Sequence, residues 1–467
     1  MQESLPDRST LIPIICASDV THLTNFSGDQ KAWPVYLTIG NLPSDIRNAP
    51  SNHQSILLAL LPIGPKRSSL KLNQKAEVES VIQQVLYDIL QPLDDVYEQG
   101  IELTCGDGYV RQCFPRLSAW CADHMEYVNL LGLFTTSCPR CEVPPNSLGN
   151  GTLVWPERDY SAYRDQLDDT EDGFMNSAMR QLNQIGVNYR RIAFSSLHSV
   201  SVESLHKPDL LHGIYKGIVE HTLSWFVKFM KKHKRFDRFN KTWSSLPAYP
   251  GFSPFKKHYD QITSWQGKEL RMAVRILCAT TAVALSEPNH TEREPFTQVQ
   301  RALFALVNFI LLAQYRHHDA LSIGYMNGYW QDWHADKDIF LEFRPTKKAR
   351  KQSNAIATKA RIEANELLAK GVYGTGAHGR ATFKRELDRI EEECHKNFAA
   401  LCGFNFVKFH LPLHYDDHVR NYGNLQGFST EAPETSHIWQ LKRGYNTSNH
   451  VTVICEMQAN SLASHHF

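Results

Sequence analysis

The sequence predicts an α/β protein: a mixed sheet in its first third, then a long and mostly helical second half. Two observations carry this. Short apolar runs rich in branched residues, each bounded by turn formers, fill residues 11 to 63, and from about residue 75 the apolar period changes from strand-like to helical. Long helical patterns then dominate residues 209 to 405.

The first strand is expected in "LIPIICASD", the second in "WPVYLTIGN" and the third in "SILLALLPI". The gaps between them hold "SGD" and "PSNHQ" and are short enough for adjacent antiparallel pairing. From 75 to 98 an amphipathic helix places Val78, Val81, Ile82, Val85, Leu86 and Ile89 on one stripe, with Pro92 kinking or ending it. Two further strands, "IELTC" and "RLSAWCA", precede Asp107 and Asp123 respectively. Residues 142 to 175 are polar and rich in Pro and Gly, which predicts a surface excursion.

Four runs then carry helical periodicity: "LLHGIYKGIVEHTLSWFVKFMKKH", "KELRMAVRILCATTAVALSE", "FTQVQRALFALVNFILLAQYRHHD" and "ATFKRELDRIEEECHKNFAALCG". The expected division is a core from 9 to 208, a helical insertion from 209 to 405, a return to the core from 406 to 450, and a tail from 451 to 467. Near the end, "TEAPE" has the signals of a helix start: Thr430 to cap, Pro433 in the first turn, and acids at the positive end. Glu434 then sits near that start, with His437 one turn on.

With 467 residues, 42% hydrophobic and 21% charged, the composition is that of an ordinary globular chain. The formal net charge of +1 supplies no global field for a polyanion, so any such site must be local. Ten cysteines in this length are too sparse for a disulfide-stapled fold. The start "MQESLPDRST" lacks the cationic and apolar leader of a secretory signal, and runs such as "FALVNFILLA" are short for a membrane span. No membrane partner is expected, and a reducing compartment is.

GxSxG, a strand followed by GxGxxG, GxxxxGK[ST] and HExxH are all absent from the sequence. What remains are acids and a CxxC. A carboxylate at the end of an apolar strand needs compensation for its desolvation, and a divalent cation is one compensator. Asp19 ends the first strand, and Asp107 and Asp123 follow later ones. Hard Mg²⁺ or Mn²⁺ prefers such oxygens, and two ions roughly 3.5 to 4 Å apart clamp both the attacking and the leaving oxygen in phosphoryl transfer. Cys138 and Cys141 in "CPRC" have the spacing of half a structural Zn²⁺ site; Asp209 and His212 of "DLLH" are the expected completion, with His198, His206 and His221 as spares. Basic residues cluster at 344, 347, 348, 350, 351, 359 and 361; Lys347, Lys348, Arg350 and Lys351 are candidates for DNA-backbone contact or nuclear import, against the plainer reading of a solvated surface.

Four blocks in order, "IPIICASDVTHLTNFSGDQKAWPVYLTIGNL", "CFPRLSAWCADHMEYVNLLGLFTTSCPRC", "DLLHGIYKGIVEH" and "STEAPETSHIWQLKRGYNTSNH", resemble the Plavaka-type transposases of fungal genomes, relatives of the CACTA (EnSpm-like) cut-and-paste elements. The resemblance implies an RNase H-like core with an Asp-Asp-Glu/Asp triad, interrupted by a helical insertion before the last acid. Carried over, the triad falls on Asp19, Asp123 and Glu434, with Asp107 and Glu431 as alternates. It further implies Mg²⁺-dependent cleavage and transfer of double-stranded DNA in the nucleus, and a homo-oligomer remains open. Such proteins typically carry a longer N-terminal region with a DNA-reading zinc finger, so the close approach of the first strand to the start favours the alternative of a transposase remnant that binds DNA or protein without cutting.

Overall fold

The structure is a computed structural model that describes residues 5–23, 30–64, 72–168, 175–188, 191–344, 347–374, 378–387, 389–390, 403–443 and 445. The expected tail from 451 onward lies outside the described residues.

The sheet has five strands: β1 (Thr10–Ser18), β2 (Pro34–Ile39), β3 (Ile56–Leu60), β4 (Ile101–Thr104) and β5 (Val110–Cys121), in the order β3-β2-β1-β5-β4. The expected meander is present, since β1 pairs β2 and β2 pairs β3, both antiparallel. After β3 the chain crosses over through helix α1 (Leu72–Asp95), and β5 enters beside β1 in parallel. Gly100, at φ +65°, closes the turn from α1 into β4; a Cβ there would meet the Cys113 carbonyl oxygen at 2.6 Å, so only glycine fits. This mixed sheet, flanked by a large helical region, is an RNase H-like core with a helical insertion.

Faces alternate along the strands, as the pleat requires. Ile14 and Cys16 of β1 pack with Leu86 and Leu90 of α1, whereas Ile15 and Ala17 face the other way, with Ala119, Cys121 and Phe428. A bulge lets β5 skip one residue between the pairs Ile14↔Leu117 and Ile15↔Ala119. Without that extra residue, the end of β5 would turn its side chains to the opposite face. Helix α1 differs from expectation in detail: Val81 is exposed, and the buried stripe is carried instead by Ile82, Val85, Leu86, Ile89, Leu90 and Leu93.

Helix α2 (His124–Leu130) follows β5 directly. The helical region begins with a π-helical stretch, α3 (Leu210–Val219), which runs on into α4 (Glu220–Lys232); α5 (Gly267–Ala284), α6 (Arg293–Ala313), α7 (Ala320–Asp336) and α8 (Lys347–Ala369) follow. One apolar cluster unites α3 to α7, with Phe229, Trp243, Phe309, Trp330 and Trp333 among its members and Phe404, Phe409, Tyr415 and Leu425 contributed from near the end of the chain. By length and composition α6 could cross a membrane, yet Phe296, Val299, Leu303, Leu306 and Ile310 bury one side of it in this cluster. Lys347, Lys348, Arg350 and Lys351 lie on α8, with their side chains outside the described residues. The chain then returns to the sheet in a short helix, α9 (Glu431–Ser436), which continues as a π-helical turn, His437–Lys442.

Candidate active site and metal centre

The parallel pairing of β1 with β5 decides where the acids lie. The last register pair is Ala17↔Cys121. Two residues further on each strand come Asp19 and Asp123, so both acids leave the same edge of the sheet. Ala17 and Cys121 also share the face covered by Phe428, and the period of two turns Asp19 and Asp123 toward that face. Asp107 sits at the opposite edge, in the β4–β5 turn, where both of its oxygens take hydrogen bonds from Arg111 at 2.8 and 2.7 Å. Because β4 runs antiparallel to β5, an acid following β4 cannot share an edge with one following β5.

Asp123 has a second duty, since its Oδ1 caps α2 by accepting from the Glu126 backbone N–H at 2.7 Å. Asp19 is half-exposed and approaches His437, whose Nε2 lies 3.7 Å from its Oδ2; the other ring nitrogen pairs with the Tyr36 hydroxyl at 3.0 Å. Beneath the edge lies Glu126, buried, accepting from the Trp33 indole at 2.5 Å and from the Ser18 hydroxyl. Burial pushes its carboxyl up to about 7, against the two hydrogen bonds and with help from the charges of Asp123 and Asp19.

Glu434 reaches the same region from α9, on the far side of the helical insertion. Its Oε1 lies 3.2 Å from His212 Nε2. Burial raises its pKa, His212 and Lys216 oppose the rise, and Asp19 and Asp209 add to it. Glu431, one turn earlier, is held instead by Arg271 of α5 at 2.5 Å. The helix start differs from the expected one: Thr430 does not cap α9, because its hydroxyl donates to Asp209 Oδ2 at 3.0 Å.

Asp209 explains that exchange. It is nearly buried and accepts from Leu211 N–H and His212 N–H at 3.0 Å, from His212 Nδ1 at 2.8 Å and from Thr430 N–H at 3.2 Å. One carboxylate thus caps α3, orients the His212 ring and fastens the start of α9. Burial would raise its pKa, but the His212 bonds and charge, with the Thr430 bond, lower it below the usual carboxylate value. His212 moves the other way: burial lowers it, and the bond and charge of Asp209, then Glu434 and Asp123, raise it above the ordinary imidazole value.

The structure therefore does not give Asp209 and His212 to the CxxC. Cys138 and Cys141 face His410 and His414 instead: Cys141 Sγ is 3.1 Å from His410 Nε2, Cys138 Sγ is 3.5 Å from His414 Nε2, and the two imidazole nitrogens are 3.3 Å apart. Zinc bonds of about 2.3 Å to sulfur and 2.0 Å to nitrogen set tetrahedral edges of about 3.3 to 3.8 Å, close to these separations. All four side chains are buried. Burial would push the Cys138 thiol up; hydrogen bonds from Cys141, His410 and His414 and the charge of His414 reverse this and hold it well below the usual thiol value, while its bond to Cys138 and burial raise Cys141. A backbone N–H from Arg140 also reaches Cys138 Sγ at 3.3 Å. Donor set, closure and spacing fit a structural Zn²⁺. Among the described residues this is the one group of three or more such side chains whose ligand atoms lie within 4.8 Å of one another; the three acids stand further apart. Of the spare histidines, His198 is exposed, His221 stacks on Trp225, and buried His206 packs against Tyr127.

Sequence reasoning missed His410 and His414, although "HLPLHYDDH" carries the signal, since histidines four apart share a helical face. It also missed Glu126, visible as a charge three residues after Asp123.

No curated protein matches the chain. The family model described as Plavaka transposase matches residues 1–226, a span that contains Asp19, Asp123, the CxxC, Asp209 and His212. The match takes in the whole mixed sheet and a little under half of the chain, and it supports an assignment of that stretch to the Plavaka-type, CACTA-like transposases.

Proposed function

We propose that this protein cleaves DNA strands and joins them to target DNA by metal-dependent phosphoryl transfer, with Asp19, Asp123 and Glu434 as the acids. The observation that carries the reading is the β1–β5 register, which sends two acids off one edge and one face of the sheet, with Glu434 arriving on the same side. Hard oxygen donors, partly open to solvent, suit Mg²⁺ or Mn²⁺. Bound there, two such ions would supply charge stabilisation at the attacking and leaving oxygens. The protein's own part is to hold the carboxylates. Asp123 is fixed by its cap on α2, and Glu434 by His212, which is itself oriented by Asp209. His437 sits beside Asp19, its Nε2 3.7 Å from the carboxylate. Double-stranded DNA is the partner, Lys347, Lys348, Arg350 and Lys351 are further backbone contacts, and the nucleus is the place of work.

A second reading, a remnant that binds DNA without cutting it, draws on the separation of the acids and on the engagement of Glu434 with His212. One experiment separates the two. Purified protein with Mg²⁺ or Mn²⁺ should nick duplex DNA, and Asp19→Asn should lower the rate at least about a thousandfold, given the several kcal/mol a metal centre supplies. Asp107→Ala should nick as wild type does. Equal nicking by Asp19→Asn and wild type sinks the cleavage reading, and no nicking by either favours the remnant.

A further inference from the structure

Beside the carboxylates stand Lys216 of α3 and Lys408 of the short helix Val407–His410, both half-buried. Among the described residues neither makes a hydrogen bond or an ion pair, although Lys408 lies within the fields of Asp123, Asp209, Glu220 and Lys216, and Lys216 within that of Glu434. Such an arrangement is unusual. An ammonium group that has given up part of its water is normally found with a counter-ion. Here four acids are near, yet none comes within 4 Å of either nitrogen, so both donors remain available to an anion from outside.

The local build keeps Lys408 in place. Its stem lies along α3 at Gly217, where a Cβ would come 2.7 Å from Lys408 Cδ and 2.6 Å from the His212 carbonyl oxygen. Lys408 also lines a cleft with His124, Lys207, Asp209 and His212, and this cleft opens between the end of β5 and the start of α3, beside Asp123. His124 turns a buried Nδ1 that has no partner into the same neighbourhood. Lys216 and Lys408 come from different segments of the chain, and each lies within the field of a candidate acid, Glu434 and Asp123 respectively.

We propose that Lys216 and Lys408 form a seat for a backbone phosphate of the DNA strand, next to the phosphate held by the acids. The inference rests on the cleavage reading above and adds to it the part that holds the substrate strand. A phosphodiester carries a single negative charge on two free oxygens, which matches two lysines approaching from separate elements. Lysine, a compact charge on a flexible stem, suits a contact that must hold a phosphate without reading sequence.

The test is duplex binding measured by fluorescence anisotropy across a salt series, without divalent ions, for wild type, Lys216→Gln, Lys408→Gln and Lys408→Arg. Each Gln variant should bind more weakly and lose a share of the roughly 0.9 that one phosphate contact contributes to the slope of log affinity against log salt, while Lys408→Arg keeps the wild-type slope. A merely structural lysine would change the melting temperature and leave the slope alone. Inorganic phosphate at matched ionic strength should displace DNA no better than chloride; if it displaces DNA strongly, the site takes a free phosphate and the proposal fails. Wild-type slopes in both Gln variants overturn the phosphate seat and leave strand cleavage standing. Reduced slopes in a protein that never nicks DNA do the reverse, and no duplex binding by the wild type overturns both.

Discussion

The acid pocket and the Cys₂His₂ cluster both join the front of the chain to its end, and they do so in opposite ways. The acids are partly open to solvent, stand apart, and are steadied by second partners such as His212 and His437. The thiols and imidazoles are sealed, crowded within 4.8 Å, and bonded chiefly to one another. Openness suits ligands that must enter and leave, whereas closure suits an ion that stays.

The sharpest way to break this contrast is to take metal from the sealed cluster. A chelator should lower wild-type stability by about 4 kcal/mol at a free-ion level a thousand times the dissociation constant. Cys138→Ser should start at the lower stability and ignore the chelator. A thermal melt of wild type that does not respond to chelation, in protein shown by elemental analysis to have held zinc, would remove the architectural role.

A second, smaller effect tests whether the open pocket depends on its supports. Asp209→Asn leaves His212 and Thr430 with a poorer acceptor and should cost about 3 kcal/mol, as breaking a buried charged pair does. It should also slow nicking while duplex affinity holds. The pH dependence has a definite sign. Asp209, depressed on folding, stabilises above the ordinary carboxylate value of 3.8 and loses that contribution as pH falls through its folded value. His212, raised on folding, stabilises below 6.5 and loses that contribution as pH rises through its folded value. The clamp is therefore strongest between those limits, and urea titrations of wild type and variant should converge on either side of them. A constant gap from pH 3 to 9 would show that the pair is not the source.

The smallest expected effect concerns Glu126. Its carboxyl is raised from 4.5 to about 7, so the folded state binds the proton more tightly and the residue costs stability as pH climbs across that interval. Glu126→Gln keeps an acceptor for Ser18 and Trp33 and should stabilise the protein by about 1 to 2 kcal/mol at pH 8, with no gain at pH 4. An equal gain at both pH values would refute the charge as the cause.

Much of the sheet was legible because it depends on local signals: short gaps between β1, β2 and β3 force neighbours to pair, and the strand ends at Asp19 and Asp123 follow from the end of each apolar run. That Asp123 and not Asp107 leaves the sheet beside Asp19 took the topology, since only the crossover through α1 makes β5 parallel to β1. The partners of the CxxC were illegible for a related reason. DLLH is nearer in the sequence and chemically suitable, but the fold spends it on α9, and the HxxxH that completes the cluster lies 269 residues beyond Cys141. Val81 failed for a simpler reason: several registers of an apolar stripe fit α1, and only contact with β1 selects one.

The helical insertion leaves the sheet just after the Asp209–Thr430 clamp and comes back just before His410 and His414 dock on the cysteines. Its departure and its re-entry are each riveted to the half of the chain that bears the sheet, so the stretch in between is a tethered insertion whose length and content can drift without dislodging the acids. Cut once within that insertion, the two pieces should still hold together as a split protein.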